Sequence, residues 1–261
     1  MESSKLSIED LDRIAVNFEQ KWTSGIALIE ILKTTEQNVS SRASCFSELL
    51  AELILIDIEK RWRHRCGQMQ SRFYSTPNGL ISDTEPQPTL IDYLNLFPQQ
   101  PVDDAIRRQL AQNELNARWT FGDIPDLGSY VKDIGNLRKP DVIVPVIRLM
   151  MANGAQTQME LIGRIMIGRQ AIGEPLPPAI VEGTHQKLIC AQANDITTSR
   201  NQVIVQCLAK GLVTITNPSG NRNLFIRPNT NLGPGQHRVF QLKNAIQIPL
   251  KEAAITIEMQ K

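Results

Sequence analysis

The sequence predicts an α + β protein whose two classes fall in separate domains. A helical region spans residues 1–120, a connection 121–140, and an antiparallel β-sandwich 141–261. Three observations carry this reading. In the first half, apolar residues recur at three- and four-residue steps, the period of a helix face. After about Pro140 the apolar period becomes two, the period of a strand. Between them, Gly122, Pro125, Gly128, Gly135 and Pro140 interrupt any regular element.

The helices follow in order. Ser7 with Asp10 caps the first, and Leu11, Ile14, Ala15, Phe18 and Trp22 fall on one face. Phe46, Leu49, Leu50, Leu53 and Ile56 form the stripe of the second. Its predicted end is the basic run Lys60, Arg61, Arg63, His64 and Arg65, which suits the negative end of a helix dipole. After a loop over Ser75 to Pro88, a third helix starts at Thr89, with Asp92 in its cap. It carries Leu90, Tyr93, Leu94 and Phe97 and stops at Pro98. A fourth is placed near Pro101, with Val102, Ile106 and Leu110 inward.

The sandwich half shows short alternating runs rich in β-branched residues. Leu161, Gly163, Ile165 and Ile167 make one. Val203 with Val205, Val213 with Ile215, Ile246 with Ile248 and Leu250, and Ile255 with Ile257 make others. Turn-forming clusters separate them, and no long amphipathic helix intervenes. That pattern argues a sandwich and not a parallel βαβ sheet.

Composition narrows the chemistry. The formal net charge is +1, so any anion site must be local, and no broad attraction to nucleic acid or membrane is expected. Cys45, Cys66, Cys190 and Cys207 form no C-x-x-C pair, which points to a reduced, cytoplasmic setting. Neither a signal peptide nor a membrane span is expected. His64, His185 and His237 lie too far apart for a ligand set, so no metal or cofactor is expected. Nothing pairs a nucleophile with a base, and the chain is read as non-catalytic. Trp22, Trp62 and Trp119 are read as helix-packing anchors, and Cys190 and Cys207 as small core residues.

Polar residues suited to an anion fall between strands. Gly168-Arg169 ends one strand, Ser199-Arg200 precedes another, and Asn217-Pro218-Ser219-Gly220-Asn221 follows a third. Loops at one end of a sandwich converge, so the three can line one site. Two guanidinium groups and a hydroxyl suit a dianionic phosphate, and an amide can clamp a peptide backbone.

Gly-Arg, then Ser-Arg, then Ser-x-Asn, with the Leu232-Gly233-Pro234-Gly235 turn and Phe240-Gln241-Leu242 after it, resembles the forkhead-associated (FHA) domain over about the last 120 residues. The resemblance is to divergent FHA domains of bacterial signalling proteins. It implies a non-catalytic adaptor that binds a threonine-phosphorylated protein, such as a serine/threonine kinase or its substrate. It assigns Arg169, Ser199 and Arg200 to the phosphate and Asn221 to the peptide main chain; Gly220 stands where the family often has a phosphate-touching hydroxyl and offers only its backbone N–H. Gly168, Gln202 and Ser219 would support the loops. The chain departs from the family where Gln202 stands for a bracing histidine and Arg222-Asn223 for Gly-Thr. Those departures favour the alternative, a scaffold that keeps the fold, has lost phosphate reading and works through its helical half. That half, with Leu49-Leu50-Ala51-Glu52-Leu53 and Tyr93-Leu94, resembles a segment ahead of some bacterial kinase domains; no kinase motif follows it.

Overall fold

The computed structural model describes residues 8–22, 45–75, 87–96, 102–125, 127, 137–182, 186–195 and 198–259. The predicted roles of Ser7, Phe97, Pro98, Pro101 and His185, and of the Leu11 and Phe46 side chains, lie outside the described residues. The chain divides into two compact units. One comprises Met1–Arg65, Thr84–Arg118 and Leu127–Pro140; the other comprises Cys66–Asp83, Trp119–Asp126 and Asp141–Lys261.

In the first unit, α1 (Ile8–Lys21) buries Ala15 and Phe18. Helix α2 (Cys45–Ser75) buries Leu49, Leu50, Leu53, Ile54 and Ile58. Helix α3 (Leu90–Leu96) opens as read. Thr89 is its cap, and both its N–H and its hydroxyl donate to Asp92 Oδ2 at 2.7 Å. The free Leu90 N–H donates to the buried Glu114 carboxylate of α4 (Asp104–Phe121) at 3.0 Å. A carboxylate at a helix N-terminus is well placed against the dipole. Helix α4, expected to start near Pro101, starts three residues later at Asp104, and Asp103 Oδ1 caps the Ala105 N–H at 2.8 Å.

The basic run corrects a second expectation. Helix α2 continues through Arg65 to Ser75, so Lys60–Arg65 is mid-helix and does not meet the C-terminal dipole. Local partners hold these charges instead. Arg61 pairs with Asp57, Arg63 pairs with Glu59, and Arg65 lies 5.1 Å over the Trp62 ring. The helix goes on because Cys66, Met69 and Phe73 supply a further apolar stripe. That stripe packs with Ala209, Leu212 and Val239 inside the second unit.

The second unit is a β-sandwich, with twelve strands among its described residues. One sheet holds β10 (His237–Gln241), β7 (Leu212–Thr216), β6 (Val203–Ala209), β3 (Arg164–Arg169), β5 (Gln186–Ala191) and β4 (Ala179–Val181), in that spatial order. The other holds β11 (Ile246–Pro249), β12 (Ala253–Met259), β1 (Pro145–Met151) and β2 (Gln156–Glu160). The hairpin of β8 (Leu224–Ile226) and β9 (Thr230–Leu232) joins it at β11 through a bridge from Arg227 to Gln247. Alternation drives burial: Ile147 and Leu149 in β1, Ile165 and Ile167 in β3, and Val213 and Ile215 in β7 are all fully buried.

Two details differ from the reading. Leu161 and Gly163 precede β3 instead of sharing its strand. One pair, β3 with β5, is parallel. The long stretch after Arg169 supplies the crossover that parallel pairing needs, and it carries the edge strand β4.

Candidate functional site at one edge of the sandwich

Register decides which loops meet. In β6 and β3, Val203 faces Ile167; in β6 and β7, Ile204 faces Thr216. The C-terminal end of β3, the start of β6 and the end of β7 therefore share one end of the sheet, on three adjacent strands. At ordinary strand spacing, β3 and β7 are about 10 Å apart, with β6 between them. Gly168-Arg169, Ser199-Arg200 and Ser219-Gly220-Asn221 emerge there side by side, with the Ser-Arg loop in the middle.

Gly168 is required by close approach. A Cβ at this position would sit 1.9 Å from the Arg200 carbonyl oxygen. The Arg169 N–H donates to the Ser199 carbonyl at 3.1 Å, and the Gln202 N–H donates to the Ile167 carbonyl at 2.7 Å. The Ser-Arg loop is thus stitched directly to the end of β3. Gln202 also braces it from within, because its Oε1 accepts the Ser199 N–H at 2.9 Å.

The predicted contact residues present differently. Arg200 is exposed, with no carboxylate at ion-pair distance among the described residues. Ser199 is half-buried, and Asn221 and Gly220 are exposed. Arg169 is more committed. Its Nη1 donates to the Ala193 and Asp195 carbonyls at 2.9 and 3.3 Å, and its Nε is buried without a partner. It holds the β5–β6 loop at the site edge.

Asn217, which heads the third polar cluster in the sequence, organises the third loop. Its buried Nδ2 donates to the carbonyls of Arg222, Leu232 and Gly233 at 2.7–3.0 Å, and its Oδ1 accepts the Ser219 N–H. The Ser219 hydroxyl then accepts the Asn221 and Arg222 N–H groups at 3.4 and 3.1 Å. Ser219 is consequently a buried turn residue, and Asn221 is presented outward. The only sequence signal for Asn217 was its place at the head of a turn cluster.

No protein-family model matches the chain, and no curated protein matches it. Among solved structures it is similar to an engineered FHA with a Myc-pTBD peptide. The identity is 10% over 46% of this chain and 93% of that one, with a TM-score of 0.29.

Beside the site, a depression of about 500 Å³ opens along the β5–β6 loop, lined by Met151, Asn153, Gln192, Asn194 and Asp195 among others. Sequence reasoning did not find it, because β1 and β2 had not been read as strands. Cys190 and Cys207 are both buried in the sandwich. Burial pushes the Cys190 thiol up to about 12 and the fully buried Cys207 thiol further in the same direction. Among the described residues no metal-binding cluster occurs, and no helix is long and apolar enough to cross a membrane.

Proposed function

We propose that this sandwich edge binds phosphothreonine-containing proteins without catalysis, as a signalling adaptor. The observation that supports the reading best is the Ser199-Arg200 loop. It is braced by Gln202, lies between the Arg169 and Asn221 loops, and offers an exposed guanidinium with no carboxylate partner among the described residues.

In this reading Arg200 and the Ser199 hydroxyl bind the phosphate. The Gly220 N–H gives a further donor, and the Asn221 amide holds the peptide main chain. Arg169 contributes charge while holding the β5–β6 loop. Each charge-assisted hydrogen bond contributes about 1.5–3 kcal/mol. Less the cost of ordering a peptide, that corresponds to a Kd on the order of a micromolar. Flanking peptide side chains would extend toward the neighbouring depression.

A second reading is favoured by Arg169. Its Nη1 already donates to two backbone carbonyls, which fits a structural role in a scaffold that no longer reads phosphate. Fluorescence anisotropy on the full chain separates the two. The probes are a degenerate phosphothreonine peptide pool, its unphosphorylated twin and a phosphoserine version. Selective binding to phosphothreonine that is lost in Ser199→Ala and Arg200→Ala supports the first reading. Phosphate-independent binding, or none at high micromolar protein, supports the scaffold.

A further inference from the structure

A second anion-compatible surface lies away from that edge, and it starts from an asymmetry in the sequence. Residues 196–251 contain no Asp or Glu, although the chain has 27. The same stretch carries Arg200, Lys210, Arg222, Arg227, Arg238, Lys243 and Lys251. The near-neutral whole chain therefore hides a strongly cationic segment, and its β-strands fold that charge onto one unit.

Three of these cations gather around a trough. One depression of about 490 Å³ is lined by Arg227, Arg238 and Lys243, together with Phe73, Phe240 and Pro228 among others. A second, of about 450 Å³, adjoins it and adds Phe225 and Gln247. Arg227, Pro228 and Ala245 line both, so the two are continuous. No carboxylate lines either one.

Aromatic contacts hold two of the cations on the walls. Arg238 lies 5.8 Å over the Phe240 ring and donates to Thr230 Oγ1 at 3.4 Å. Lys243 lies 5.3 Å over Tyr74, whose phenol oxygen accepts the Gln241 amide at 2.7 Å. Neither contact neutralises the charge. The trough includes β10, which among the described residues is the outermost strand of its sheet and pairs with β7. An outer strand has backbone groups to offer an extended chain. Gln241 faces Leu212, at the far end of β7 from Asn217. Five residues of strand separate the two surfaces, roughly 15 Å.

We propose that this trough is a second binding site, which takes an extended anionic peptide segment alongside β10. An elongated shape, an open strand edge and three cations on one short surface fit a peptide carrying clustered carboxylates or phosphates. A nucleic-acid strand would call for a longer track of cations. The site does not depend on phosphothreonine reading at the other edge.

The test uses the full chain and fluorescein-labelled peptides in anisotropy titrations. The probes are octaglutamate, octaglutamine, and a phosphoserine peptide matched to octaglutamate in charge, with a twelve-residue oligo(dT) for comparison. Octaglutamate should bind and octaglutamine should not, and 300 mM salt should weaken binding. The triple variant R227Q/R238Q/K243Q should lose at least tenfold, and each single variant two- to threefold. S199A/R200A should leave octaglutamate binding unchanged. Tighter binding of the phosphoserine peptide assigns the site to phosphorylated segments, and equal binding assigns it to acidic ones. The proposal is overturned if neither anionic peptide binds, if the single and triple variants bind as wild type, or if oligo(dT) binds more tightly than both peptides.

Discussion

Asn217 and Asp57 illustrate how single buried polar residues organise each unit. The Asn217 side chain satisfies three carbonyls and one N–H, all from loops around the candidate site. Asn217→Ala leaves those groups without their partner, at a cost of about 2–3 kcal/mol. The expected result in urea unfolding is a lower midpoint with an unchanged slope, together with loss of phosphopeptide binding. Asp57 is fully buried in the helical unit. It accepts from Trp22 Nε1 and Arg61 Nε at 2.7 Å and from the Tyr93 hydroxyl. Burial, with the adjacent carboxylate, raises the Tyr93 pKa, so Tyr93 stays a donor. Asp57→Ala strands the partly buried Arg61 and should cost about 3 kcal/mol, read by the loss of helical circular dichroism in urea. Gly168→Ala is a different kind of test. Its methyl would collide with the Arg200 backbone, so the Ser-Arg loop must move. Phosphopeptide affinity should fall at least tenfold, and more than in Gln202→Ala, which removes only the brace.

At the scale of the element, α3 is a seven-residue helix that depends on its cap. The Thr89 N–H, and then its hydroxyl, hold the Asp92 carboxyl below its ordinary value of 3.8. A depressed folded-state pKa contributes stability that is present above the unfolded value and lost as pH falls through the folded one. Asp92→Ala should therefore lower the melting temperature at pH 7, by the equivalent of about 1 kcal/mol or less. The difference from wild type should narrow below pH 3.8 and vanish once the wild-type carboxyl is protonated. A gap that persists at pH 2 would show that the box acts through packing instead. Helix α2 teaches a related lesson. Its charges are held by i,i+4 partners and by Trp62, so a basic run is not by itself a helix end.

At the scale of the whole molecule, the sandwich is not completed by its own strands. Cys66 and Met69, with Phe73 and Phe121 packed against them, cover Ala209, Leu212 and Val239. A fragment of residues 141–261 lacks that cover and exposes the apolar patch. It should melt at a lower temperature than the full chain and bind a hydrophobic dye in proportion to the uncovered surface. Equal melting temperatures would mean that the helix-borne residues add nothing to the sandwich.

The order of classes, the strand periodicity and the polar loop residues could be read directly, because they are local. Alternation marked β6, β7, β11 and β12, and the Thr89 cap marked α3. Strands β1, β2, β4, β8 and β9 were not legible: they are short, or mixed in polarity, and are defined by cross-strand pairing that the local period does not show. The candidate site divides along the same line. Its residue types were visible, whereas register alone puts Ser199-Arg200 between the other two loops. Tertiary structure also turned Arg169 toward backbone carbonyls, made Gln202 a brace and gave Asn217 its role. The partners of Arg169 and Asn217 that lie 15 to 26 residues away leave no trace in local spacing. The chain by itself determined which groups are available and in what order; only folding decided which of them face one another and which remain free to meet a ligand.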